Sequence, residues 1–242
     1  MADQKWMPLS EHLQELRYRL LATAVPWIIL VGIAFTQADA VLGYVRPEQG
    51  ALVFLAPAEG FLTYLRVAVY LATAATVPLA LYHAAAFVAP GLERGERRLL
   101  FGMLPVAALL FAAGVAFGFT VIRPIALTFF LGFAGEGLEP MISVGRYLSF
   151  IAGVTVPVGI VFQLPVVMYV LARLGIVSGD GLRRNRAYAL LAILVVAAVV
   201  TPPDVVSQLL VAAPMYGLYE VSIWVAHWAG RGTAGEATGG RR

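Results

Sequence analysis

Two carboxylates in this sequence are set up to take a cation. Glu15 lies in His12-Leu13-Gln14-Glu15-Leu16-Arg17-Tyr18-Arg19, immediately before the first long apolar run. Glu96 lies in Glu93-Arg94-Gly95-Glu96-Arg97-Arg98, immediately before the third. A carboxylate can hold a guanidinium through two parallel hydrogen bonds, a geometry that favours Arg over Lys. If the two helix entrances are neighbours, the pair is a two-pronged acceptor for a cationic ligand. The competing reading is local. Glu15 can pair with Arg19 at i+4 and Glu96 with its adjacent arginines, each pair contributing only about 0.5 kcal/mol.

Four further polar residues sit in or beside apolar runs. Gln163, in Phe162-Gln163-Leu164-Pro165, is near the middle of its run. Either it satisfies the backbone carbonyl that Pro165 frees, or it forms an intramembrane polar site met by a partner or a passing peptide. It is neutral and cannot relay a proton as a carboxyl could. Glu220 is an ionisable group inside the last run, so it is either a functional group or one that snorkels or bonds to a neighbouring helix. Asp204 follows Thr201-Pro202-Pro203 and is a natural N-cap for that run, accepting from the amide of Val206 or Ser207. Gln208, one turn on, extends the polar end.

Hydrolytic and nucleotide chemistry have no motif here. His-Glu-x-x-His, Gly-x-Ser-x-Gly and Walker patterns are absent. His12, His83 and His227 are scattered, and there is no cysteine. An enzyme is not expected, nor a cofactor, a metal or a nucleic-acid partner.

The elements that must position these residues are membrane helices. The chain has 242 residues, 60% of them hydrophobic and 13% charged, with a mean hydropathy of +0.83. Soluble domains carry about 25% charged residues. Asp3, Glu11 and Glu15 fit a retained first helix better than a cleaved signal peptide. Ser10 can cap that helix, with Glu11 in its first turn, and Leu9, Leu13, Leu16 and Leu20 share a face opposite His12, Glu15 and Arg19.

Six spans are predicted, at about 20–35, 62–88, 99–122, 147–172, 187–200 and 205–226, forming one all-α domain over 1–228 with a disordered tail at 229–242. The fifth is short, about 21 Å against a hydrocarbon core of about 30 Å. Pro26, Pro78, Pro105, Pro157, Pro165 and Pro214 predict kinked spans that can curve into a concave wall. With a cytoplasmic N-terminus, only Arg46, Arg66, Arg123 and Arg146 of the 17 Lys and Arg residues fall outside, so both termini are expected in the cytoplasm. No internal repeat is visible, which weighs against many transporter designs.

These pieces together resemble the TatC family, the polytopic component of the twin-arginine protein translocase. The resemblance is carried by His12-Leu13-x-Glu15-Leu16-Arg17-x-Arg19, by Ala89-Pro90-Gly91-Leu92 with Glu96-Arg97-Arg98, and by Phe162-Gln163-Leu164-Pro165. The last piece is Thr201-Pro202-Pro203-Asp204-x-x-Ser207-Gln208, continuing to Pro214-Met215-Tyr216 and Tyr219-Glu220. It spans about residues 8–228. The resemblance implies a cupped wall of six helices in a bacterial or archaeal cytoplasmic membrane. It implies a receptor for twin-arginine signal peptides and a scaffold for export of folded cargo, driven by the proton-motive force. Glu15 and Glu96, with Leu16 and Arg17 beside the first, match the peptide-reading positions. Thr201 and Gln208 fall where single-span TatA-type and TatB-type partners assemble, and self-association is expected. Where the family commonly has Glu, this chain has Gln163, so only a hydrogen-bonding role survives there. A small-solute or ion transporter working through Gln163 and Glu220 is the alternative.

Overall fold

The computed structural model describes residues 9–47, 51–133, 141–200 and 204–239. Long apolar stretches fold as helices because backbone groups in lipid must be satisfied within their own segment. Among the described residues, five helical stretches are long and apolar enough to cross a membrane: Ser10–Thr36, Glu59–Gly91, Arg94–Leu131, Val144–Arg173 and Val205–Gly230. A sixth apolar helix, Arg186–Val200, is shorter, about 22 Å long. The chain divides into two compact units, one of Met1–Leu92 with Leu127–Ala152, the other of Glu93–Ala126 with Gly153–Arg242.

In the first unit α1 (Leu9–Thr36) packs against α3 (Glu59–Val88). The pair is antiparallel: the His12 ring stacks on Phe87 at 4.1 Å, Trp27 Nε1 donates to Thr73 Oγ1 at 3.0 Å, and Phe35 meets Phe61 at 6.1 Å. The polar lead-in and the first span are therefore one helix. Ser10 lies inside its first turn rather than capping it, a shift within the usual fraying of helix ends. Buried Val67, Ala68 and Ala72 let the backbone of α3 approach its neighbours closely.

The connection between α1 and α3 carries structure. It holds α2 (Ala38–Val45) and β1 (Ala51–Val53). β1 pairs in parallel with β2 (Met141–Ser143), with Leu52 opposite Ile142. Glu59 fastens the pair. Its carboxylate accepts from Ser143 Oγ at 2.5 Å, from Gly145 N at 3.0 Å and from Leu55 N at 2.5 Å. Arg66 Nη1 donates to the Gly145 carbonyl at 3.1 Å. A Cβ at Gly145 would lie 2.7 Å from Arg66 Nη1 and 3.1 Å from Glu59 Oε1, so a larger residue there would displace the two side chains that make the knot.

In the second unit the third and fourth spans are each broken. The third runs as α4 (Arg94–Gly102), α5 (Leu104–Phe117), a π turn (Gly118–Ile122) and α6 (Arg123–Leu131), which continues into the first unit. The fourth runs as α7 (Val144–Val161), which begins in the first unit, and α8 (Leu164–Arg173). Pro105 and Pro165 each open a new helix, where a missing N–H costs nothing, whereas Pro26, Pro78, Pro157 and Pro214 stay inside helices. Two-sided glycine contacts bring α5 and α7 together: a Cβ at Gly114 would sit 2.8 Å from Gly159 Cα, and one at Gly118 would sit 2.9 Å from Thr155 Cα. Gly114-x-x-x-Gly118 is a small-residue stripe of the kind that packs membrane helices.

α9 (Gly179–Arg184), α10 (Arg186–Val200) and α11 (Val205–Gly239) complete this unit. α11 extends past the Ala226 end set by hydropathy and through Gly239, into the stretch expected to be disordered. Extending an existing helix needs no new nucleus, and Ala234, Glu236 and Ala237 are adequate helix formers.

Candidate functional site

The two candidate carboxylates occupy different settings. Glu15 lies on the half-buried face of α1, beside the His12 ring that rests on Phe87. Arg19 Nε and Nη2 both donate to Glu15 Oε1, at 3.0 and 2.5 Å. The local pair read from the i+4 spacing is thus formed, but on one oxygen. Glu15 Oε2 has His12 Nδ1 at 3.9 Å, beyond hydrogen-bond range, and no hydrogen-bond partner among the described residues. A desolvated carboxylate oxygen with no donor is costly, and an incoming guanidinium would relieve it.

The faces of α1 are the reverse of an ordinary amphipathic helix. Its polar face meets protein, while Leu13 and Leu20 on the leucine face are 57% and 62% exposed. Leu16 is at the margin of that face, and Arg17 is exposed with no ion pair among the described residues. An exposed leucine stripe suits lipid or an apolar segment of a ligand.

Glu96 does not pair with the neighbouring arginines as the local reading expected. It is the third residue of α4, from where its carboxylate reaches back to accept from Glu93 N at 2.8 Å, while Glu93 accepts from the Glu96 amide. This reciprocal capping box fixes both side chains at the helix entrance. Arg97 lies over the Phe101 ring at 5.9 Å instead. Glu96 remains half-buried and ion-pair-free among the described residues, so its negative charge is uncompensated locally. Glu15 belongs to the first unit and Glu96 to the second.

Gln163 lies in the two-residue break between α7 and α8. It does not satisfy its own helix. Its Nε2 donates to the Ala107 carbonyl of α5 at 3.1 Å, so the side chain ties two helices together. Glu220 accepts from Arg186 Nη2 at 2.6 Å, an ion pair between α11 and α10. That inter-helix bond occupies the group that a transport route would need. Asp204 Oδ1 accepts from Ser207 N at 2.7 Å and caps α11. Gln208 Nε2 donates to the Leu194 carbonyl at 3.0 Å, joining α11 to α10. Thr201, the other partner-site candidate, lies outside the described residues.

The exposed residues Val195, Val196 and Val199 of α10 and Val205 and Leu209 of α11 leave this hairpin with an apolar outer surface, 81% exposed at Val199. The Glu59 knot and the Gly114 stripe were not singled out from sequence. The stripe has a readable signal in its spacing. The knot depends on long-range pairing, which local pattern does not encode.

Residues 11–214 match the family described as Sec-independent protein translocase protein (TatC). The Sec-independent protein translocase protein TatC of Carboxydothermus hydrogenoformans is 42% identical over 229 residues, covering 93% of this chain and 94% of that protein. The chloroplastic TATC of Arabidopsis thaliana is 38% identical over 237 residues, covering 96% of this chain and 69% of its own length. A crystal structure of the twin arginine translocase receptor TatC superposes with a TM-score of 0.80 at 33% identity, covering 90% of this chain and 99% of that one.

Proposed function

We propose residue-level roles for a chain that belongs to the TatC family and is a Sec-independent protein translocase component. It acts as the receptor for twin-arginine signal peptides and as the scaffold on which folded cargo is exported, using the proton-motive force. Glu15 and Glu96 take the two arginines, one each, at the cytoplasmic surface of the inner membrane. Leu16 and the exposed leucines of α1 lie against the apolar part of the peptide. The single observation that carries this reading is Glu15 Oε2, a buried carboxylate oxygen with no hydrogen-bond donor among the described residues.

The chain crosses the membrane six times, with both termini cytoplasmic. The inside-positive count supports this, and α10, though short, is apolar throughout from Ala187 to Val200 apart from the interfacial Tyr188. Local bilayer thinning accommodates its length. TatA-type and TatB-type single-span proteins dock on the α10–α11 hairpin near Thr201 and Gln208, whose apolar outer surface offers a helix-sized face. Solute transport is not favoured, since Gln163 and Glu220 are both engaged in helix-to-helix bonds.

A photocrosslinking amino acid placed at position 14, and separately at position 94, tests the reading. An Arg-Arg signal peptide is expected to crosslink from both positions and a Lys-Lys peptide from neither. Equal crosslinking of the two peptides, or none from either position, refutes it.

A further inference from the structure

Within the second unit, Arg183, Arg186, Ile223, Trp224, His227 and Trp228 line a cavity of about 540 Å³. It is distinct from the surroundings of Glu15 and Glu96, and none of its residues was assigned a role above except Arg186, as the partner of Glu220. The charges are unevenly satisfied. Glu220 takes one amino group of Arg186, and Asp180 holds His227 Nε2 at 3.0 Å while the Ile223 carbonyl holds Nδ1 at 3.0 Å. Each local carboxylate therefore has one partner, though Asp180 is itself 90% exposed. Arg186 Nε is left buried with no acceptor, and Arg183 is exposed with no ion pair among the described residues. Both guanidinium groups line one cavity, and Arg183, exposed and without an ion partner among the described residues, is the one placed to take an oxyanion.

The aromatic residues say where that oxyanion comes from. Trp224 and Trp228 are one turn apart near the end of the Val205–Gly230 span, 78% and 72% exposed, and Trp228 also stacks on Tyr169 at 6.0 Å. Exposed tryptophans at the end of a span mark the headgroup level of a bilayer. Tyr188, 75% exposed at the start of α10, marks the same level. Basic pockets beside membrane helices at that depth suit anionic headgroups. A twin-arginine peptide is the wrong charge for this cavity.

We infer that Arg183 and Arg186, flanked by Trp224 and Trp228, bind the headgroup phosphate of an anionic phospholipid. The inference rests on the membrane-spanning reading of α11, not on peptide recognition. Loss of binding at Glu15 and Glu96 would leave the lipid measurement unchanged, so the two can fail separately.

The test uses the full chain in phosphatidylcholine vesicles containing acyl-brominated phosphatidylglycerol or acyl-brominated phosphatidylcholine, with quenching of tryptophan fluorescence as the readout. A Trp224→Phe/Trp228→Phe variant supplies the contribution of Trp6 and Trp27 for subtraction. Phosphatidylglycerol is expected to quench at several-fold lower fraction than phosphatidylcholine. Arg183→Gln should reduce that preference about fivefold, the effect of one cation near an anionic surface, and Arg183→Lys should largely keep it. Arg183 makes no ion pair among the described residues, so its replacement is expected to leave the fold intact, which the helicity of the variant checks. Equal quenching by both lipids, or an unchanged preference in Arg183→Gln, overturns the inference. So does displacement by soluble glycerol 3-phosphate, which would indicate a free-phosphate site, or by an Arg-Arg peptide, which would indicate a protein ligand.

Discussion

Replacing Gly114 by Ala is expected to loosen the α5–α7 contact, while the same change at Gly32 is not. A methyl group at Gly114 would lie 2.8 Å from Gly159 Cα, 2.8 Å from Phe162 Cγ and 2.9 Å from Phe162 Cβ. One of those atoms is backbone and the others sit at the root of a side chain, so no rotamer change relieves the overlap. Overpacking of this kind costs about 1–3 kcal/mol, and the immovable neighbours put it in the upper part of that range. The gain in helix propensity from Gly to Ala returns about 1 kcal/mol. The net loss is about 1–2 kcal/mol.

Gly32 has nothing within 4 Å, so Gly32→Ala keeps the propensity gain alone. Gly159→Ala falls between, because it meets side chains alone, Phe111 Cε2 at 2.8 Å and Val115 Cγ2 at 2.9 Å, and of these the Phe111 ring edge can turn aside whereas Gly114 faces backbone. Reversible unfolding in mixed micelles, titrated with sodium dodecyl sulfate and followed by helicity, ranks the variants. The expected order of stability is Gly32→Ala, then Gly159→Ala, then Gly114→Ala. A Gly114→Ala protein as stable as Gly32→Ala would refute close packing of these two helices.

Other perturbations follow from single contacts. Glu96→Ala removes the capping box and should speed amide exchange in the first turn of α4, whereas Glu96→Gln retains an oxygen for the Glu93 amide and should not. Gln163→Leu should cost about 1 kcal/mol in the same micelle titration through loss of the bond to Ala107, and Gln163→Glu should cost more as pH rises, since only its protonated form can donate to that carbonyl. Asp204→Ala should cost about 1 kcal/mol by uncapping α11, detectable in the same titration, and Asp204→Asn should recover most of it.

Hydropathy located the long helices well, because in lipid the length and apolarity of a segment nearly determine its structure. The i+4 spacing of Glu15 and Arg19 gave their pair, and the Pro-Pro-Asp order pointed to the cap at Asp204. Other features could not be read. Glu96 had arginines on both sides, and only the helix start at Arg94 reveals that its carboxylate turns back to the Glu93 amide. Three-residue strands separated by a long stretch of chain have no local pattern, so β1 and β2 and the Glu59 knot emerged only from the fold. The breaks at Met103 and at Phe162–Gln163 were hinted at by Pro105 and Pro165, but a proline inside a hydrophobic run equally fits a kink, as at Pro157. The inverted faces of α1 show a limit of amphipathic reasoning in membranes: polarity there marks the protein side, since lipid takes the apolar one.

The most direct test of the account is the affinity of a fluorescent Arg-Arg signal peptide for the purified chain, for Glu15→Gln, for Glu96→Gln and for the double variant, each also measured with a Lys-Lys peptide. A charge-assisted hydrogen-bonded contact contributes about 1.5–3 kcal/mol, so each single variant should bind about tenfold or more weakly. The Arg-Arg preference should disappear in the double variant. Affinity unchanged in both single variants, with the Arg-Arg preference intact, would contradict the proposal that these two carboxylates read the paired arginines.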